Sequence, residues 1–165
     1  MVAQIGKWLL IFFGALAVQS TLTPVINIYG VGPDLPIIAL FFFATRFGMT
    51  PAIYVGFFLG LVEDLYSTSL LGQNALAKTV VGFFMGIFNE RLMRTDPVIK
   101  LIILLIAFVI HDSLILGVDV FREDMQMQAL LVSLLTRTLG RALYSMLLAM
   151  FITLWQHFTA PSLHT

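Results

Sequence analysis

Residues Arg46 to Lys78 read RFGMTPAIYVGFFLGLVEDLYSTSLLGQNALAK, and the reading of this stretch decides the fold. It is an apolar helix closed by two adjacent carboxylates, Glu63 and Asp64, followed by a small-polar turn. A second helix begins at Asn74, whose side chain suits an N-cap, and carries Lys78 about one turn in. Gly56 and Gly60 stand four residues apart, and so do Gly82 and Gly86 further on. Two such G-x-x-x-G faces let helix backbones approach closely and gain contacts that lipid does not match. They serve either the packing of these two helices on each other or a groove for a partner's single transmembrane helix.

The surroundings of this stretch are as oily as its interior. Of 165 residues, 59% are hydrophobic and 11% charged, with a mean hydropathy of +0.98. A soluble domain of this length has too little surface to hide so much apolar area. Helices apolar on every face take lipid as their solvent. The expected class is an all-α integral membrane protein. Nine basic residues balance nine acidic ones, so there is no basic field for nucleic acid. Cysteine is absent, which excludes disulfides, thiolate metal sites and a cysteine nucleophile.

A span takes roughly 20 mostly apolar residues. Six spans are predicted in one multi-pass domain, at about 8–28, 34–47, 50–65, 74–90, 98–117 and 129–156. Lys7, the run Trp8 to Gly14 and Ala15-Leu16-Ala17 imitate a signal peptide. With everything downstream embedded, the segment reads better as the first span. The second is short: Leu35 to Thr45, between Asp34 and Arg46, makes only roughly 16 Å of helix. Either Arg46 snorkels to the surface, or this helix does not cross fully by itself. Positive charge favours the cytoplasmic side. With the N-terminus inside, that side carries Lys7, Arg46, Arg91, Arg94 and Lys100, against Arg122 outside. Both termini are then cytoplasmic, and Asp34, Asp64, Gly72, Asn74 and Lys78 mark the outer rim. Gly56-Phe-Phe-Leu-Gly-Leu recurs 26 residues later as Gly82-Phe-Phe-Met-Gly-Ile, so two antiparallel helices present similar glycine faces.

Charge within the bilayer is costly unless paired or watered. Asp112 lies within the fifth span; Arg137 and Arg141 share a face of the sixth. Asp112 and Arg137 stand at matching depth, roughly 10–15 Å below the outer surface, which predicts a pair that fixes helix register. Ser133, Gly140, Tyr144 and Ser145 extend the Arg137/Arg141 stripe, whose other uses are a proton or substrate pathway, or the binding of lipid or a precursor. Lys78 either snorkels outward or meets Asp64. No G-x-S-x-G, H-E-x-x-H, P-loop or G-x-G-x-x-G occurs, so no enzyme, cofactor or metal site is expected.

Pro33-Asp34-Leu35, Arg46-Phe47-Gly48, Gly56-x-x-x-Gly60-x-x-x-Asp64-Leu65, Gly72-x-Asn74-Ala75-Leu76 and Gly82, in this order and spacing, resemble the MreD family of bacterial rod shape-determining proteins. The resemblance implies a non-enzymatic inner-membrane subunit of the cell-elongation machinery (the elongasome) and of peptidoglycan synthesis. The implied partners are the bitopic protein MreC and, through it, a RodA-type glycosyltransferase, a class B transpeptidase and MreB filaments. It also implies a fold similar to the six-helix substrate-binding subunits of energy-coupling-factor vitamin transporters. A vitamin-uptake subunit is therefore the alternative reading, though the turn after Asp64 offers no aromatic beyond Tyr66 to stack on a flat ring.

Overall fold

A computed structural model of the chain describes residues 2–26, 32–67, 70–88 and 97–123, and residues 140–142, 144, 145, 147, 150 and 151 of the C-terminal region. Among the described residues five helices run in order: α1 (Val2–Ile26), α2 (Leu35–Phe47), α3 (Met49–Tyr66), α4 (Gln73–Ile87) and α5 (Pro97–Glu123). The described residues between 140 and 151 are helical, inside the predicted sixth span. Among the described residues one helix, over Val98–Val120, is long and apolar enough by itself to cross a membrane.

The short helix α2 is the hub. α2 has 13 residues, and Pro36 to Phe41, Phe43 and Ala44 are all buried. It packs against α1, α3, α4 and α5. At roughly 20 Å it is shorter than the hydrocarbon core of a bilayer, and its neighbours cover it. Arg46 lies exposed in its last turn. A single residue, Gly48, joins α2 to α3. Its φ of 84° lies where side chains are strained, and its N–H donates to the Ala44 carbonyl at 2.8 Å.

α3 and α4 share the largest interface, and the glycines make it. A Cβ on Gly56 would run into the Lys78 carbonyl, and one on Gly60 into the backbone of Asn74 and Ala75. At Gly82 it would stand 2.5 Å from the Ala52 carbonyl oxygen; at Gly86 it would strike Met49. Residue 56 thus faces 78, 60 faces 74–75, 52 faces 82 and 49 faces 86, one continuous antiparallel register. All four glycines are spent on packing these two helices together. The expected alternative, a groove kept open for a partner's helix, is corrected: the neighbouring backbone already fills that space.

Two boundaries also differ from expectation. α5 continues past Gly117 to Glu123, because Asp119 accepts a hydrogen bond from Gln73 Nε2 at 2.9 Å and no breaker intervenes. α4 begins at Gln73, so Asn74 sits inside the first turn and Gly72, at φ 98°, takes the cap position.

Close packing at the glycines sets a test. Gly60→Ala inserts a methyl group against backbone and should cost about 1–3 kcal/mol. Gly14→Ala, with nothing within 4 Å of the new Cβ, should leave stability unchanged or raised. Thermal unfolding of the purified variants in detergent measures both. Equal melting temperatures would place α3 and α4 further apart than described.

Candidate functional site: a buried ion network

Glu63 and Lys78 lie on the two glycine faces: Glu63 is three residues beyond Gly60, and Lys78 four before Gly82. Once those faces close, the two side chains meet. Lys78 is 0% exposed and forms ion pairs with Glu63 and, at 3.4 Å, with Asp34 Oδ2. Its Nζ also stands 3.4 Å from Nε2 of His111. The other ring nitrogen, Nδ1, stands 3.0 Å from Asp112 Oδ1. Arg141 Nη1 donates to the same oxygen at 3.1 Å. His111 therefore links one ion-pair cluster to the next.

Each helix is tied in at its end. Asp34 caps α2: its Oδ1 accepts from Ile37 N–H at 3.0 Å. Its own N–H donates to Ser145 Oγ at 3.3 Å, while Leu35 N–H donates to Gln19 Oε1 on α1 at 3.1 Å. Asp64 performs the corresponding task for α4 from the end of α3. It accepts the N–H groups of Gly72 at 2.9 Å, Asn74 at 3.0 Å and Ala75 at 3.1 Å. The Asn74 side chain donates to it as well, at 2.9 Å. Gln73 reaches α5, donating to the Ile115 carbonyl at 2.9 Å besides Asp119. Donors exposed at helix starts need such partners, the more so where water is scarce.

The outcome for the sequence-predicted residues is mixed. Asp34, Lys78, Asp112 and Arg141 come together in one network. Lys78 neither snorkels nor meets Asp64: the glycine contact draws its backbone inward, and its ammonium turns to Asp34 and Glu63. Asp64, Gly72 and Asn74 form the α3–α4 turn, with the cap supplied across the turn by Asp64 instead of by Asn74. Arg46 stands apart, exposed at the opposite end of α2. Arg137 lies outside the described residues; Asp112 is engaged by Arg141, one turn further along the same face. Glu63 and His111 were missed as site members. For Glu63 the signal was its place on the glycine face; for His111, its position beside an intramembrane aspartate. Among the described residues, no group of three or more His, Asp or Glu could hold a metal ion.

The family model for rod shape-determining protein MreD matches residues 3–159, nearly the whole chain. The chain belongs to the MreD family. The resemblance seen in the motifs is thus correct, and with it come membrane residence and a part in determining rod shape. The MreD-like motifs have structural duties here: Pro33-Asp34-Leu35 is the capped start of α2, and Arg46-Phe47-Gly48 its exit. The spaced glycines with Asp64 and Gly72 build the α3–α4 hairpin. Comparison with the curated proteins and with the solved structures gave no match.

Breaking the network at its centre should be severe. Lys78→Met leaves Asp34 and Glu63 without their shared cation, at about 3–5 kcal/mol, and should prevent accumulation of folded protein. Adding Glu63→Gln removes one stranded charge and should restore part of the yield. Size-exclusion profiles of the two variants decide it: a Lys78→Met protein as stable as the parent would refute the buried ammonium.

Proposed function

We propose that this chain is a non-enzymatic, multi-pass inner-membrane subunit of the cell-elongation complex, one transmembrane domain with both termini cytoplasmic. In this reading it holds an MreC-like bitopic protein by that protein's single transmembrane helix. Through it the chain connects to a RodA-type glycosyltransferase, a class B transpeptidase and MreB filaments. Family membership supports the role in shape.

The observation that carries the scaffolding role is the division between interior and exterior. The network turns its charges on one another and ties α2, α3, α4, α5 and the C-terminal helical residues into one frame. The outer faces are left apolar, with Tyr54, Phe57, Phe58, Val62 and Leu65 of α3 exposed beside Leu76, Phe83 and Ile87 of α4. A frame of this kind presents a fixed shape to another helix, and association inside lipid depends on shape and packing.

Photoreactive residues placed singly at Phe58, Phe83 and Leu10, in cells carrying an MreC-like protein, test the reading. One face should yield a cross-linked adduct with that protein while the others capture lipid. Adducts with lipid from every face, in cells that keep their rod shape, would overturn it.

A further inference from the structure

The end of the molecule opposite the ion network carries a different feature. A cavity of about 330 Å³ lies between α1 and α3 and is backed by α2. Gln4, Trp8, Leu9 and Phe12 line it from α1, Phe43 and Phe47 from α2, and Pro51 and Val55 from α3. Apart from the Gln4 amide its wall is hydrocarbon and aromatic ring. The rings brace one another: Trp8 meets Phe43 at 5.3 Å and Phe47 at 5.9 Å between centroids, and Phe12 meets Phe43 at 5.5 Å. From Gln4 to Phe12 the slot follows α1 for roughly 12 Å, from the helix end into the apolar zone.

Two cations stand at the same end of α1 and α2 as the cavity. Lys7 directly precedes Trp8, and Arg46 directly precedes Phe47; both are exposed. Neither has an ion-pair partner among the described residues. The described acidic residues, Asp34, Glu63, Asp64, Asp112, Asp119 and Glu123, belong to the other end of the fold. An apolar slot with two exposed cations at the same end, unpaired among the described residues, matches a molecule with an acyl chain and an anionic head.

We infer that this slot binds one anionic phospholipid from the leaflet on the Lys7/Arg46 side. One acyl chain lies against Trp8, Phe12, Phe43 and Val55, and the headgroup phosphate sits between Lys7 and Arg46. The site is separate from the buried network and independent of which protein the chain holds. A cation near the membrane surface favours an anionic lipid by roughly fivefold, so the two together set a clear preference over a zwitterionic lipid with the same chains.

Native mass spectrometry of the full chain in detergent, with equal phosphatidylglycerol and phosphatidylethanolamine, tests this. One phosphatidylglycerol should be retained in preference. Lys7→Ala with Arg46→Ala should reduce that preference by roughly fivefold for each cation removed. Leu9→Trp, at a position 52% exposed and therefore safe for folding, should fill the slot and lower retention of both lipids with the charges intact. Equal retention of the two lipids by the parent protein would overturn the proposal. So would an unchanged preference in the double variant, or full retention by Leu9→Trp. A photoreactive residue at Leu9 should capture lipid in membranes; capture of a protein helix there would assign the slot to a partner and overturn it as well.

Discussion

A fully buried ammonium between two carboxylates is the constraint on which the rest of this structure depends. Lys78 gives up all contact with solvent, which no membrane helix tolerates without close partners. Those partners come from the start of α2 and the end of α3, so three helix termini must converge at one level. That convergence requires α3 and α4 to approach almost backbone to backbone. Gly56, facing the Lys78 carbonyl, is where the requirement is met. Glycine packing and ion pairing are thus two parts of a single arrangement.

The same end of the molecule resolves a second problem, the satisfaction of helix starts inside an apolar medium. α2 and α4 both begin there. Asp34 serves its own helix, while Asp64 reaches across a turn to serve the next one. Gln19 and Ser145 bring α1 and the C-terminal helical residues to the α2 start. Because most of these ties cross between elements, the short α2 is held from several sides. It is carried by its neighbours, which explains how 13 residues form the hub of a membrane protein.

Polarity is therefore distributed along the molecule in two unlike ends. One is a locked array of charges and caps. The other is a stack of aromatic rings from α1 and α2 with the exposed cations Lys7 and Arg46 at the same end. Between them the outer surfaces of α3 and α4 remain apolar, as lipid or another helix requires. For a member of a shape-determining family this division is useful: the interior holds the helices in place without engaging the surroundings, and the exterior is free to engage them.

The chain's own order of residues determined the class, the helices and the need for close approach, since each follows from short-range properties. Apolar runs set the helices, glycine spacing of four set the contact face, and Asp34, Lys78, Asp112 and Arg141 stood out because a charge in an oily run is expensive wherever it lies. The motif pattern also carried the family. Only the tertiary structure decided who meets whom. Asp112 found Arg141 and His111, Lys78 found Glu63 and Asp34, and Asp64 became a cap for another helix. Those choices depend on how far each helix is rotated and how deep it sits. Rotation and depth are set jointly by all the packed neighbours, so no single stretch contains them.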